Sequence, residues 1–162
     1  MSGIVIGIDP DSDRSGIAVV DVSTRHIDVA AMRFPALIDE ICRRLGMAER
    51  DGKSVTVYIE AGWLNASNWH LSRRDSRNVA SKKGVGLGMC HQTGRLIAEM
   101  CEHHKVDFVL VKPLQKRWSG RDRKITQQEL ERFTGKIRGR INQEGRDAAL
   151  LAWVYAGLPL RV

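Results

Sequence analysis

The chain has 162 residues, a formal net charge of +7, 43% hydrophobic residues and 28% charged residues. This length suits one domain with a sizeable core, and residues 1–162 are interpreted as a single domain. The composition argues against a disordered chain, and no apolar run approaches the roughly 18 residues of a membrane span. Because the start of the chain lacks a signal-peptide pattern, we expect a soluble protein of the cytoplasm.

Positive charge is concentrated in two blocks. From Lys112 to Arg146 there are eleven Lys and Arg residues against four Asp and Glu residues. From Arg73 to Arg95 there are six against the single acid Asp75. A solvated basic surface is the ordinary explanation of such counts, but two concentrated blocks favour a polyanionic partner such as nucleic acid. Charge alone does not distinguish DNA from RNA.

The hydrophobic pattern predicts a mixed sheet with helices on its faces, an α/β arrangement. Apolar runs predict strands over residues 4–9, 16–22, 26–33, 54–60 and 106–113. Helical spacing predicts helices over 35–49 and 85–104, a short helix after a capping box of Thr126 and Glu129, and a last helix from about Gln143 to Ala156. Residues 61–83 lack periodicity and are predicted to form a long loop, a feature that is usually functional or mobile.

Two of the predicted strands end on an acidic residue. Asp9 follows the apolar run 3–8, and Glu60 ends the segment "SVTVYIE". A carboxylate in such a place is costly unless it is paired, hydrogen-bonded or bound to a metal. Glu144 and Asp147 stand three residues apart, so they project from one face at the start of the last predicted helix.

Each of these acids has an ordinary structural explanation when it is taken alone. Asp9 could cap a turn, Glu60 could pair with an arginine, and acids in a first helical turn favour the helix dipole. Together, in a basic protein, they are better explained as ligands of hard divalent cations, which take oxygen donors and act on phosphates. The predicted catalytic and metal-binding residues are therefore Asp9, Glu60, Glu144 and Asp147, with Mg²⁺ or Mn²⁺ as the cofactor.

Three acidic segments resemble the motifs of the RuvC-type Holliday junction resolvases, within the RNase H-like nuclease superfamily. They are "GIDPDSDRSGIAVVD", "VYIEAGW" and "EGRDAALLA", and "KPLQKRW" after the fifth predicted strand also corresponds. The resemblance spans nearly the whole chain. It implies an RNase H-like five-stranded mixed sheet flanked by helices, a four-carboxylate metal site, and a homodimer that makes paired nicks in four-way DNA junctions. Glu144 stands where the bacterial resolvases usually have Asp. Nucleoid association and a phage origin both stay open.

The resemblance also suggests contacts with DNA outside the acids. Trp63, three residues after Glu60, matches a family aromatic that stacks on bases at the junction, and a core tryptophan is the structural alternative. Lys116 and Lys124 fall near family lysines that contact DNA. The basic blocks supply the other DNA-binding candidates, which are Arg73, Arg74, Lys82, Lys83 and Arg117.

Two other functions remain open. One is a less selective RNase H-like nuclease that acts on flaps, other branched DNA or RNA–DNA hybrids, and the other is a non-catalytic DNA-binding module. An actin-like ATPase is excluded, because that fold needs two domains of this kind and 162 residues are too few for both. Helix 85–104 is the expected interface of the homodimer. The residues expected to face the core are Leu87, Cys90, Gly94, Ile97 and Cys101. The second copy is expected to cover Met89, Leu96 and Met100.

Overall fold

The computed structural model describes residues 3–65 and 74–160. Its strands are β1 (Gly3–Asp9), β2 (Ser15–Asp21), β3 (His26–Met32), β4 (Ser54–Glu60) and β5 (Asp107–Val111). Its helices are α1 (Phe34–Arg50), α2 (Arg77–His103), α3 (Gln127–Thr134) and α4 (Gln143–Tyr155). Short 3₁₀ turns lie at Gly62–Leu64 and Arg121–Arg123. No helix within these described ranges combines the length and hydropathy needed to cross a bilayer.

The five strands form one mixed sheet in the order β3-β2-β1-β4-β5. Strands β1, β2 and β3 pair antiparallel, whereas β4 pairs parallel with both β1 and β5. The predicted five-stranded mixed sheet flanked by helices is confirmed, and this order and direction of strands is that of an RNase H-like fold.

Both faces of the sheet are covered by helices. On β1, Ile6 and Ile8 belong to one core cluster with α1 and α2, whereas Val5 belongs to the other with α3 and α4. Successive side chains of a strand point to opposite faces, so a strand covered on both sides reads as a continuous apolar run. This explains why the run 3–8 shows no alternation of polar and apolar residues.

Helix α4 lies unusually close to the sheet. A Cβ atom on Gly7 of β1 would come within 2.5 Å of the Ala148 carbonyl oxygen and 2.6 Å of the Ala152 amide nitrogen. Only glycine leaves room for such a backbone contact in the middle of a strand. The small residues of α4 and the glycine of β1 therefore set the height of the helix above the sheet.

The predicted boundaries need correction in two places. Helix α2 begins at Arg77 rather than at 85, because the Ser76 side chain caps it by accepting a hydrogen bond from the Val79 amide at 3.3 Å. The end of the predicted loop 61–83 is therefore helical. Strand β5 ends at Val111, before the predicted limit of 113. The capping box of Thr126 and Glu129 is confirmed at the start of α3.

Candidate active site

The sheet brings Asp9 and Glu60 side by side. Strands β1 and β4 are parallel neighbours, and their register pairs Ile8 with Ile59, so the next residue on each strand is one of the two acids. The carboxyl ends of parallel strands meet at one edge of a sheet, where functional groups of α/β folds gather. Asp9 and Glu60 are thus held on adjacent rigid strands.

The start of α4 carries the other two acids to the same edge. Gly16 pairs with Asp9 across the β1–β2 hairpin, and a Cβ on Gly16 would overlap the Glu144 carbonyl. The helix begins just before this contact, where the Asn142 side chain accepts a hydrogen bond from the Gly145 amide at 3.0 Å. Glu144 and Asp147 therefore lie near the start of α4, directly beside the end of β1.

The acids affect one another strongly. Burial raises the pKa of Asp9 well above its usual value, and the charges of Glu60, Asp147 and Glu144 add to the rise, while Lys124 partly offsets it. Burial and then Asp147 raise the pKa of Glu60 to about 7, against the opposing effect of Lys124 and Lys116. A carboxyl group behaves in this way when it is desolvated among like charges.

Asp147 already has a partner for each of its oxygens. The Lys124 ammonium donates to Asp147 Oδ2 at 2.8 Å, and Gln143 Nε2 donates to Asp147 Oδ1 at 2.7 Å. Burial lowers the pKa of Lys124, but the contact with Asp147 and the charges of Asp9 and Glu60 together outweigh burial and leave that pKa raised. Gln143 is in turn held by Arg146, whose guanidinium donates to Gln143 Oε1 at 2.7 Å.

The donor chemistry of the four acids suits hard divalent cations, because every candidate ligand atom is a carboxylate oxygen. Their arrangement is not that of a completed coordination shell. Within residues 3–65 and 74–160, no three His, Cys, Asp or Glu side chains form a ready-made metal site. Asp147 is instead directed toward the ammonium of Lys124.

The acids line a cleft of about 850 Å³. Three basic residues identified from the sequence, Lys83, Lys116 and Lys124, line it with them. Lys83 also forms an ion pair with Asp75, at 2.8 Å. The cleft therefore combines a group of carboxylates with a wall of positive charge.

The remaining basic candidates lie elsewhere. Arg74, Lys82 and Arg117 are exposed residues that do not line the cleft. The Arg117 guanidinium lies 5.9 Å from the centre of the Trp118 ring. Arg73 falls outside the described residues.

Trp63 lines the cleft and is half-buried. Its ring packs on α2, where a Cβ atom on Gly94 would come within 2.7 Å of it. The Arg95 guanidinium lies over the ring, 5.0 Å from its centre, and the His91 ring meets it edge-on at 5.8 Å. The side chain is therefore part of the cleft wall, braced by α2 and by a cation–π contact.

Sequence reasoning missed two residues that line this cleft and one that contacts its acids. Arg121 and Arg123 line it, and Gln143 orients Asp147. Gln143 precedes Asp147 by four residues, so helical spacing could have indicated it. The two arginines gave no such signal, because their position depends on a turn in which Asp122 and Arg123 adopt φ angles of 54° and 60°. Left-handed backbone is uncommon for arginine, although aspartate adopts it more readily.

Fold and site together define a class of protein. The chain has an RNase H-like α/β fold whose strand ends and last helix gather four acids inside a basic cleft.

Comparison with known proteins found solved structures that are similar to this chain. No protein-family model and no curated protein matches the chain. The chain is similar to T. thermophilus RuvC in complex with Holliday junction substrate, with 18% identity, 95% of this chain and 92% of that chain covered, and a TM-score of 0.48. It is similar to the Fowlpox virus resolvase in complex with substrate Holliday junction DNA, with 13% identity, coverage of 95% and 97%, and a TM-score of 0.46.

A third similar structure is the large terminase nuclease from thermophilic phage G20c, with 16% identity, coverage of 94% and 82%, and a TM-score of 0.32. Two of these three structures are Holliday junction resolvases, the class that the sequence motifs resemble. The fold itself is assigned from the order and direction of the strands.

Proposed function

We propose that this protein is a divalent-metal-dependent endonuclease that resolves four-way DNA junctions by paired nicks in the cytoplasm. The observation that carries the proposal is the convergence of four carboxylates at one sheet edge inside a basic cleft. Carboxylates alone would repel a phosphodiester, whereas carboxylates with bound cations and a lysine- and arginine-rich wall would attract one. The choice of a four-way junction over other DNA rests on the motifs that resemble those of RuvC-type resolvases.

The metal would be held by Asp9, Glu60, Glu144 and Asp147, and Mg²⁺ or Mn²⁺ suits these oxygen donors. Bound there, such ions stabilise charge on the phosphodiester and lower the pKa of an attacking water. The raised pKa values of Asp9 and Glu60 support a cation site, because a cation offsets the repulsion that raises them.

The chain itself supplies rigidity and charge. Asp9 and Glu60 are fixed by the pairing of β1 and β4, so the position of both carboxylates follows from the sheet rather than from a loop. Lys116, Arg121 and Arg123 line the cleft beside them and would neutralise the phosphates of the bound strand. These residues bind and orient the backbone without reading its sequence.

Paired nicks on opposed strands require two active sites at a fixed spacing, which a homodimer with twofold symmetry provides. Helix α2 exposes Val85, Met89 and Leu96, with exposed fractions of 62%, 53% and 40%. Their spacing of four and seven residues places them on one helical face, here called the α2 stripe. We propose a second copy of the chain as its partner. Met100, which was expected to join them, packs partly against the core instead.

The function is tested by incubating the protein with a synthetic four-way junction, labelled on each strand in turn, beside a linear duplex, a flap and an RNA–DNA hybrid. Each substrate is tested with Mg²⁺, with Mn²⁺ and with EDTA. We expect symmetric cuts in two opposed strands of the junction, and no cuts in EDTA or with the Asp9→Asn variant. Equal cutting of the flap or hybrid would favour the less selective nuclease. Binding without cleavage in either metal would favour the non-catalytic module.

A further inference from the structure

A lysine stands in direct contact with one of the four acids. The Lys124 ammonium is 2.8 Å from Asp147 Oδ2, and the two side chains are only 32% and 18% exposed. Its charge also acts on Asp9 and Glu60, since it opposes the rise in the pKa of each. One ammonium therefore contacts one of the four carboxylates and favours the ionised form of two others.

The backbone holds Lys124 in this place. Its amide donates to the Arg121 carbonyl at 3.1 Å, and its carbonyl accepts from the Gly120 amide at 2.9 Å. The Trp118 amide donates to the Arg123 carbonyl at 3.0 Å, which closes the same turn. A lysine on a flexible surface loop would not be fixed in this way. The turn delivers the side chain to the acids before any ligand binds.

The second oxygen of Asp147 is also engaged. Gln143 Nε2 donates to Oδ1 at 2.7 Å, so the carboxylate is oriented with Lys124 on one oxygen and Gln143 on the other. A divalent cation bound to Asp147 would place its charge next to the ammonium, and the two cations would repel each other at close range. The ammonium and a metal would therefore compete for this carboxylate in its present surroundings.

We propose that Lys124 is a built-in counter-cation that competes with the divalent metal for Asp147 and must leave this carboxylate when the metal binds. The inference rests on the proposed function, because it concerns the metal site of the same acids. In the metal-free protein Lys124 offsets the repulsion among the acids. It thereby preserves the fold of the site and weakens its affinity for metal.

The test is the binding of Mn²⁺ to metal-free protein without DNA, measured by isothermal titration calorimetry. Lys124→Met removes the charge and keeps an unbranched side chain, and it should bind Mn²⁺ about tenfold more tightly than wild type, a coupling of ordinary size between two ligands. Lys124→Arg keeps the charge and should bind no more tightly than wild type. Lys116→Met is the matched control, because Lys116 acts on Glu60 through space and should change the affinity much less.

Thermal melting gives a second readout that does not depend on activity. In EDTA at alkaline pH, Lys124→Met should melt below wild type, because its acids lack their counter-ion. Mn²⁺ should then raise its melting temperature by more than it raises that of wild type, since a tighter ligand stabilises more by mass action. Asp9→Asn should weaken Mn²⁺ binding in both backgrounds, which places the titrated metal at these acids.

If wild type binds Mn²⁺ and Lys124→Met binds it equally or less tightly, the competition is wrong and the proposed nuclease stands. If Lys124→Arg gains affinity as Lys124→Met does, the effect is one of shape and the proposal also fails. If wild type and both variants bind no Mn²⁺ and the junction is not cleaved, the proposed function fails together with the inference.

Discussion

Gly16 of β2 lies directly against the carbonyl of Glu144 in the first turn of α4, with no room for a Cβ atom between the two backbones. Gly16 is also the cross-strand partner of Asp9. One glycine therefore determines how closely the helix that carries two of the acids approaches the strand that carries a third. The geometry of the site depends on this contact as much as on the acids themselves.

We predict that Gly16→Ala destabilises the protein and impairs cleavage. Backbone lies on both sides of the added methyl group, so neither side can move without shifting β2 or α4, and such overpacking typically costs about 1–3 kcal/mol in the free energy of unfolding. Urea denaturation and junction cleavage measure the two effects. Gly46→Ala is the control, because a Cβ atom added at that position in α1 would have no neighbour within 4 Å beyond the adjacent helix backbone, and alanine favours a helix. Wild-type stability and activity in Gly16→Ala would contradict the role given to this contact.

The four acids could be proposed from the sequence because two of them end strands and the other two lie near the start of a helix. Asp9 and Glu60 end apolar runs, and parallel strands necessarily bring such ends together. The ion pair of Lys124 with Asp147 could not be foreseen. It joins residues 23 positions apart through a turn whose left-handed residues carry no glycine or asparagine signal. Interactions that depend on a particular turn leave little trace in periodicity.

The start of α2 was missed for a different reason. Gly84 stands just before the predicted start at 85, and a Cβ atom added there would have no neighbour within 4 Å beyond the adjacent backbone. The first turns of this helix are exposed, so they have no buried stripe for a pattern to report. The sequence signal that remained was the cap at Ser76, which is a local rather than a periodic feature.

A second prediction concerns how the stability of the protein depends on pH. The pKa of Glu60 rises from its usual 4.5 to about 7 in the folded chain, so the folded state holds this proton more tightly than the unfolded state does. Stability of the metal-free protein should therefore fall as pH rises from about 4.5 to about 7, because ionisation there favours unfolding. Denaturation in EDTA across this range measures the slope.

Glu60→Gln should reduce that slope, since its carboxyl no longer titrates, while Asp9, whose pKa is also raised, still contributes. Glu60→Gln, Asp9→Asn and Asp147→Asn should each abolish cleavage and leave junction binding largely intact, because phosphate affinity comes mainly from Lys and Arg. Glu144→Gln should have a milder effect, as water can replace a ligand at the start of the helix. Near-normal cleavage by any of the first three variants would remove that residue from the site.

A third prediction separates two neighbouring lysines. Lys83 lines the cleft and Lys82 does not, so Lys83→Glu should weaken junction binding more than Lys82→Glu. Losing one phosphate contact should also reduce the slope of log affinity against log salt by about 1. Arg50→Glu is the control, because α1 ends at Arg50 just before β4 begins, at the opposite edge of the sheet from Glu60. Equal effects of Lys82→Glu and Lys83→Glu would argue against phosphate binding inside the cleft.

A fourth prediction concerns Trp63. If its ring stacks on a base at the junction, Trp63→Ala should reduce junction binding by about 1–3 kcal/mol and leave duplex binding unchanged. The Arg95 guanidinium lies over the ring, so a base that stacks on that face has to displace it. Trp63→Phe should retain part of the effect. Leu64→Ala is the control, because Leu64 shares the same turn and is 41% exposed. If Trp63→Ala lowers thermal stability and weakens junction and duplex binding equally, the ring has only a structural role.

The last prediction tests the dimer through the α2 stripe. Val85, Met89 and Leu96 form one exposed apolar face, and Leu96→Glu would place a charge on an interface built on it. We expect wild type to be dimeric by light scattering at micromolar concentration, and Leu96→Glu to be monomeric and to nick only one strand per binding event. Met47→Glu is the matched control, because Met47 is an apolar residue of α1 with a similar exposure of 38% and lies outside the stripe. If the Leu96→Glu variant is dimeric, the interface lies elsewhere on the molecule. A monomeric wild type that still makes paired nicks would remove the need for a dimer, since one site would then cut both strands in succession.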